Sequence, residues 1–231
     1  MVDGVATVRE IRRFPVKAMG GESLRSVEVE TRGLAGDRAY AVVDGQGKLA
    51  SGKHTKRFRR RDEVFEFGAR TTPAGVMVTG PGGEWRVPGG DVDRALSDVM
   101  GDPVRVLAEV TTPHFDAGHV SLVGSASLDW CRRNLGVDAD HRRIRPNLVV
   151  ATDQPFVEES WTGEVAVGRI RLRPVERIER CRTIDIAQEG LPQEGRWLKA
   201  LAAAREMCLG VYLDVVVGGL VSVGDEVRVT G

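Results

Sequence analysis

Residues 164–172 read EVAVGRIRL, and their apolar side chains recur at the short spacing expected of a strand that buries one face. These side chains are Val165, Val167, Ile170 and Leu172. Residues 148–151 and the two sides of Gly224-Asp225 favour further strands. Between residues 7 and 107, short β-branched runs end at glycine-rich turns such as Gly20-Gly21, which predicts a meander or a small barrel.

Three helices are predicted among these strands. Residues 92–100 have helical spacing, with Asp91 as a suitable N-cap and Gly101 as a suitable terminator. A second helix is expected from Ser125 to Gly136, and a third from about Gly195 to Cys208. The sequence therefore predicts a mainly β fold with a few helices (α+β) and two closely apposed halves.

Composition narrows the classes of partner. The 231 residues include 33 Lys plus Arg and 33 Asp plus Glu, so no overall field draws the chain to nucleic acid or to an anionic membrane. Apolar runs such as 213–217 fall far short of the ~20 residues that a membrane helix needs. The N-terminus has no basic segment followed by an apolar one, so a water-soluble, cytoplasmic protein is expected.

Three cysteines and four histidines are scattered without the close spacing of a zinc site or a redox dithiol. Cys131 and Cys208 fall on apolar faces of predicted helices, where a cysteine behaves as a small core residue. Cys181 follows a strand predicted to end near Arg173-Pro174, and its neighbours are Arg177, Arg180 and Arg182. Positive charge favours the thiolate, which attacks electrophiles or binds soft metals. A strand-end cysteine with incidental arginines explains these residues equally well.

Basic side chains beside turn-forming residues predict local anion sites. Arg145 and Asn147 precede an apolar strand, and a guanidinium suits phosphate while an amide suits the edge of a heterocycle. Lys17 and Arg38 lie beside glycine-rich bends that let backbone amides approach a phosphate. The alternatives are an acidic partner for Arg145 and a turn for Asn147. Residues 53–62 are densely basic and favour a solvated loop.

An ordered set of short motifs spans nearly the whole chain and resembles the MOSC family. The set is Pro15-Val16-Lys17, Gly33 to Arg38, Ser125 to Leu128, Arg145-Pro146-Asn147, Pro155-Phe156 with Trp161, Arg180-Cys181 and Val223-Gly224-Asp225. The resemblance implies an N-terminal β-barrel-like domain at residues 1–108. It implies a β-barrel MOSC domain at residues 109–231, similar to the C-terminal part of molybdenum-cofactor sulfurases and to amidoxime-reducing proteins.

The same resemblance implies a pyranopterin molybdenum cofactor between the two halves, with Cys181 as its protein ligand. The basic residues implied to hold its anionic groups are Lys17, Arg38, Arg145 and Arg180, and Ser127 and Asn147 are implied to hydrogen-bond the pterin. The chain departs from the family at Ala18, where relatives often carry a serine. Residues 182–185 also differ from the threonine-rich continuation of the amidoxime reducers.

Two functions fit this resemblance. As an oxidoreductase, the chain would reduce N-hydroxylated compounds with electrons from a separate ferredoxin-like or flavin reductase, since it has no cysteine set for an iron–sulfur cluster and no nucleotide-binding glycine fingerprint. As a carrier, it would deliver sulfur or the cofactor, with Cys181 as a persulfide or transient ligand that a partner desulfurase supplies. The chain is too short to add a pyridoxal-phosphate domain. A β-rich scaffold without a cofactor is the third interpretation.

Overall fold

The computed structural model describes residues 6–111 and 113–230. Strands dominate them. In chain order they are β1 (Ala6–Arg13), β2 (Glu22–Leu24), β3 (Ser26–Glu30), β4 (Gly33–Leu34), β5 (Tyr40–Asp44), β6 (Leu49–Ser51), β7 (Phe58–Arg60), β8 (Gly68–Thr72), β9 (Gly75–Gly80), β10 (Gly83–Val87), β11 (Val104–Ala108), β12 (Val120–Gly124), β13 (Leu148–Val150), β14 (Glu164–Val167), β15 (Ile170–Glu179), β16 (Cys208–Val217), β17 (Gly219–Ser222) and β18 (Glu226–Thr230). This confirms the predicted mainly β fold.

Seven of the strands close into a barrel. Its order is β1-β13-β12-β16-β15-β14-β18, and β18 pairs back onto β1. All neighbours are antiparallel except β12 and β13. The interior is a cluster of aliphatic side chains with no exposed surface, including Ile11, Leu122, Leu148, Ile170 and Leu213. Burial of such side chains is the main stabilising contribution to a barrel of this kind.

Most of the first half of the chain forms smaller sheets that are separate from the barrel sheet. Strands β8, β9 and β10 form a meander, and β5 lies between β11 and β6 with β7 at the edge. A separate cluster of buried residues fills this half, including Phe65, Phe67, Val78 and Leu96. Two strands of the first half pair with strands of the second half, since β1 belongs to the barrel and β3 pairs with β17. The β3 sequence SVEVE alternates, with Val27 and Val29 buried between exposed residues.

The helices are α1 (Gly90–Met100), α2 (Ser125–Leu135), α3 (His141–Ile144) and α4 (Trp197–Arg205). Short 3-10 helices lie at Asp62–Glu66, Val157–Ser160 and Arg182–Asp185. Helix α1 begins earlier than predicted, since Gly89 is its N-cap and Asp91 lies in its first turn. Helices α1 and α2 end as predicted at Gly101 and Gly136, whose left-handed conformation suits glycine. No helix among residues 6–111 and 113–230 is long and apolar enough to cross a bilayer.

Three strand predictions and one helix prediction need correction. Residues 164–172 form the hairpin β14–β15 with a turn at Gly168, and β15 continues to Glu179, well past Pro174. The strands on the two sides of Gly224-Asp225 do not pair with each other, because β17 pairs with β3 while β18 pairs with β14 and β1. Cys208 is not a helical core residue, since α4 ends at Arg205 and Cys208 is the partly exposed first residue of β16. Cys131 is fully buried as predicted.

Candidate functional site

One cleft collects most of the predicted site residues. Its empty volume is about 860 Å³, including the open mouth. The first half contributes Lys17, Arg38, Lys53 and Phe65, and the second half contributes Asp116, Arg143, Arg145, Asn147, Arg180, Cys181, Thr183 and Tyr212. Of the predicted residues, only Ser127 does not line it. A cleft lined by several cationic side chains has the character of a site for a small anionic ligand.

Arg145 is held in the cleft by its backbone as much as by its side chain. It ends α3 in the left-handed conformation, with φ of 54°, and Pro146 then directs the chain into β13. Its guanidinium packs on the Phe14 ring at 4.3 Å, and its Nη2 donates to the carbonyl of Met19 at 2.6 Å. Its Nη1 is buried, has no hydrogen-bond partner among the residues that the structure describes, and lies 3.9 Å from Glu189. Burial lowers the pKa of Arg145 to about 10, so the group is still a cation at neutral pH.

Arg38 also contacts the Phe14 ring. Its guanidinium lies 5.0 Å from the Phe14 ring and 5.9 Å from the Phe115 ring. Its Nη1 donates to Asp37, a fully buried carboxylate that also accepts from the Phe14 amide at 2.7 Å. The turn from Gly33 to Arg38 therefore fixes the direction of the Arg38 side chain through a buried ion pair.

Lys17 is the most buried lysine of the cleft, with 5% of the residue exposed. Its Nζ donates to Oδ1 of Asp116 at 2.7 Å, and the other oxygen of Asp116 lies 3.4 Å from Nζ of Lys53. Both ammonium groups lie over the ring of Phe58, at 4.7 and 5.1 Å. Burial lowers the pKa of Lys17 to about 8, and the pKa of Asp116 is also lowered, because the two lysines outweigh its own desolvation.

Asn147 is a hub of buried hydrogen bonds. Its Oδ1 accepts from the amide of Ser121 at 3.1 Å and from the Ser121 hydroxyl at 3.0 Å. Its Nδ2 donates to the Arg12 carbonyl at 3.2 Å and to Asp37 at 3.1 Å. Both N–H donors and both acceptor positions of the side-chain amide are therefore occupied by protein groups. Asn147 lines the cleft as predicted, and its hydrogen bonds within the protein hold the cleft wall together.

Arg180 and Ser127 have partners that their sequence did not reveal. Arg180 lies in the cleft wall, but its Nε and Nη2 donate to the carbonyl of Leu209 and its Nη1 donates to the carbonyl of Ile144. Ser127 was expected to meet the cofactor, but it does not line the cleft. It is fully buried beside Glu158, to which its hydroxyl donates at 2.7 Å. Buried polar groups need such partners, and in this protein the backbone and Glu158 provide them.

Cys181 is partly exposed in the cleft wall and precedes the 3-10 helix Arg182–Asp185. Its thiol lies 3.3 Å from the hydroxyl of Thr183. The three arginines near it in sequence also have other partners. Arg177 pairs with Glu159, Arg182 pairs with Asp62 at 2.5 Å, and Arg180 donates to backbone carbonyls. Arg180 shares the cleft with Cys181, and the other cations there come from distant parts of the chain.

The cleft residues that were not predicted include Lys53, Asp116, Thr183 and Tyr212. Lys53 belongs to the basic run that was interpreted as a solvated loop, and part of that run is the strand β7, with Phe58 buried. Tyr212 lies in the middle of β16, where an aromatic residue is typical of any strand. Only their neighbours in the folded chain identify these residues as part of the cleft.

The residues present fit a cofactor that brings most of its own metal ligands. Among residues 6–111 and 113–230, no group of three or more His, Cys, Asp or Glu side chains is arranged to hold a metal ion by itself. The cleft offers one thiol, several cations and a buried, unpartnered guanidinium nitrogen on Arg145. A dithiolene-bound metal with an anionic pterin needs one further soft ligand and cationic contacts, which this set provides.

Two family models match parts of this chain. A family model described as the MOSC domain matches residues 108–228, and one described as the MOSC N-terminal beta barrel domain matches residues 5–84. A molybdenum cofactor sulfurase from Danio rerio is 28% identical over 74 residues, which are 31% of this chain and 9% of that protein. The matched region therefore covers less than a tenth of the length of that relative.

One solved structure shows likeness of fold. The YUAD protein from Bacillus subtilis matches 97% of this chain and 94% of its own, with a TM-score of 0.56 and 12% sequence identity. YiiM from Geobacillus stearothermophilus has a weaker likeness, with a TM-score of 0.38 and 13% identity over 49% of this chain and 55% of its own.

Proposed function

The chain belongs to the MOSC domain family, and from this premise we propose that its cleft binds a molybdenum cofactor with Cys181 as the protein ligand. The observation that carries the proposal is the convergence of cations from both halves of the chain on the wall that contains Cys181. The similarity to a molybdenum cofactor sulfurase supports a function that involves this cofactor or its sulfur.

In this proposal each cleft residue has a defined part. The Cys181 thiolate binds the metal, because a soft sulfur ligand suits it. Lys17, Arg38 and Arg145 bind the phosphate and other anionic groups, and the free Nη1 of Arg145 provides a donor that no protein group uses. Asn147 and Arg180 hold the backbone of the wall in place. When bound, the cofactor supplies two-electron redox chemistry at molybdenum, and the protein supplies binding, orientation and charge.

The activity we propose is reduction of N-hydroxylated compounds by an oxidoreductase. The electrons come from a separate protein, a ferredoxin-like or flavin reductase. Cys181 and Thr183 lie in the cleft wall with Tyr212, so a small neutral substrate can approach the site through the open mouth. The domains that we propose are the N-terminal β-barrel-like region at residues 1–108 and the MOSC domain at residues 109–231.

The second candidate is a carrier of sulfur or of the cofactor, and the likeness to a sulfurase favours it. Here the Cys181 thiolate attacks the terminal sulfur of a persulfide on a partner desulfurase. A sulfur–sulfur bond forms on Cys181, the donor's sulfur–sulfur bond breaks, and the donor leaves as a thiolate. In this candidate, pyridoxal phosphate belongs to the partner.

Metal analysis of the full chain separates these possibilities. The chain is expressed in a host that makes the cofactor, and molybdenum and pterin are measured per protein in wild type, Cys181→Ala and Cys208→Ala. Cys208 is also a partly exposed cysteine but does not line the cleft, so it is the matched control. We expect about one molybdenum per chain in wild type and Cys208→Ala, and a large loss in Cys181→Ala. Equal molybdenum in all three proteins, or none in any, would remove Cys181 from the ligand role.

Turnover then distinguishes the two candidates. A reductase retains its metal through purification and reduces benzamidoxime when a chemical reductant replaces the protein donor. A carrier loses its metal to a cofactor-free acceptor protein, or accepts labelled sulfur on Cys181 from a desulfurase, without turning over benzamidoxime.

A further inference from the structure

Asp116 is a cleft carboxylate that bridges two lysines of the cleft, one of which, Lys17, is proposed to meet an anionic ligand. Its oxygens lie 2.7 Å from Nζ of Lys17 and 3.4 Å from Nζ of Lys53. Among residues 6–111 and 113–230, Asp116 is the one carboxylate within ion-pair distance of Lys17. The carboxylate therefore occupies the position from which an oxyanion would contact both lysines.

Lys17 needs an anion at this position. It is 5% exposed, and an uncompensated buried ammonium group is strongly destabilising. The Phe58 ring provides only part of the compensation, because a cation–π contact is weaker than a buried ion pair. Asp116 thus neutralises Lys17 while the cleft holds no other anion.

The geometry of the segment lets the Asp116 side chain move without the backbone. Asp116 lies between β11 and β12, and the neighbouring Phe115 is buried, 4.5 Å from the Arg32 guanidinium and 6.3 Å from the His119 ring. Arg57 also donates to the Phe115 carbonyl at 2.5 Å. The Asp116 side chain itself is 40% exposed and has no hydrogen-bond partner other than Lys17 in the part of the chain that the structure describes. A change of its χ1 rotamer would therefore release both ammonium groups from the carboxylate.

We infer that Asp116 is a resident counter-anion that competes with the phosphate or another oxyanion of an incoming ligand for Lys17 and Lys53, so that loading of the cleft displaces its carboxylate. The identity of the ligand rests on the proposed function, but the competition does not. Two anions cannot share the pair without repulsion, and the ligand's anion takes over the neutralisation of Lys17 when Asp116 leaves.

The test measures binding of inorganic phosphate to the full chain, purified from a host that does not make the cofactor. Isothermal titration calorimetry compares wild type with Asp116→Asn, Lys17→Met and Asp129→Asn. Asp116→Asn removes the charge with almost no change of shape. Asp129 forms an exposed ion pair with Arg132 on α2 and does not line the cleft, so it controls for loss of one carboxylate.

We expect Asp116→Asn to bind phosphate at least about fivefold more tightly than wild type, at the lower end of the coupling between competing interactions. Asp129→Asn should match wild type, and Lys17→Met should bind phosphate more weakly. Unchanged or weaker binding by Asp116→Asn would overturn the inference, because it would mean that Asp116 does not oppose the anion or helps to hold it. Thermal unfolding of each variant confirms that the compared proteins are folded.

The outcome is independent of the proposed cofactor. If Asp116→Asn tightens phosphate binding but no molybdenum is ever retained, the competition stands and the proposed function fails. If molybdenum is retained through Cys181 but Asp116→Asn leaves phosphate binding unchanged, the proposed function stands and the competition fails.

Discussion

Asn147 donates a hydrogen bond from Nδ2 to Oδ2 of Asp37 across 3.1 Å, and both side chains are buried. The two residues are 110 positions apart in the chain. Asp37 also receives the Phe14 amide and the Arg38 guanidinium, so this contact joins the entry of β13 to the turn that holds Arg38. The Arg145-Pro146-Asn147 segment and the Gly33 to Arg38 turn are therefore two parts of one buried network.

Asn147→Leu tests this network. The substitution keeps the approximate size but leaves Asp37, the Arg12 carbonyl and the Ser121 hydroxyl without the amide. We expect a loss of about 3 kcal/mol in the free energy of unfolding, since several buried polar groups lose a partner together. Urea unfolding followed by circular dichroism measures it. Asn134→Ala is the control, because Asn134 is exposed, and a similar loss there would argue against a special role for Asn147.

The pH dependence of stability should report on Lys17. Its pKa is lowered from 10.5 to about 8, chiefly by burial. Between these values the unfolded chain binds more protons at this group than the folded chain does, so its contribution to stability rises with pH and is lost as pH falls toward 8. We expect the free energy of unfolding of wild type, relative to Lys17→Met, to increase by about 3 kcal/mol from pH 8 to pH 10.5. Denaturant titrations across that range measure the difference, and a constant difference would contradict the lowered pKa.

Thiol reactivity should separate the three cysteines. Cys131 is fully buried, and burial raises its pKa to about 11, so it should resist Ellman's reagent in the folded protein at pH 8. Cys181 and Cys208 are partly exposed and should react. We expect two thiols to react in native wild type, one in native Cys208→Ala, and all three in unfolded wild type. Fast modification of Cys131 in the native state would show that its burial is not maintained.

Local patterns predicted the strands but not how they close. The alternation in β3 and the apolar run of β13 are visible in the sequence, because each reports which face of a strand is buried. Residues 164–172 contain a hairpin that was predicted as one strand, since Gly168 interrupts the apolar spacing only slightly. The placement of β1 between β13 and β18 is a pairing of distant segments, and no local periodicity encodes it.

The same distinction applies to the cleft. Lys17, Arg38 and Arg145 could be selected because glycine or proline beside them indicated fixed bends. Lys53 lay in a run of basic residues, where a solvated loop is the usual structure, and nothing near Asp116 in sequence indicates that it faces two lysines. Arg180 was selected from its motif, but its partners are carbonyls of Leu209 and Ile144, which only the folded chain brings near it.

A pair of substitutions at Arg145 separates backbone strain from ligand binding. Arg145 has φ of 54°, a conformation that glycine adopts without a side-chain penalty. Arg145→Gly and Arg145→Ala both remove the guanidinium, so both should weaken phosphate binding to the same extent. Arg145→Gly should be more stable than Arg145→Ala by about 1 kcal/mol, because alanine keeps the strained backbone. Equal stability of the two variants in urea unfolding would mean that position 145 relaxes out of the left-handed region.

The boundary proposed at residue 108 can be tested by expressing residues 109–231 alone. This fragment lacks β1, which closes the barrel between β13 and β18, and it lacks β3, the partner of β17. Without β1, the edges of β13 and β18 and the aliphatic interior around Leu148 and Val227 would meet water. We therefore expect the fragment to lack the dispersed amide spectrum of residues 6–231 in two-dimensional NMR. A fragment of 109–231 carrying residues 6–13 on a flexible N-terminal linker should regain part of that dispersion. If residues 109–231 give a dispersed, monomeric spectrum without the added strand, the barrel does not depend on the first half, and the two domains are independent folding units.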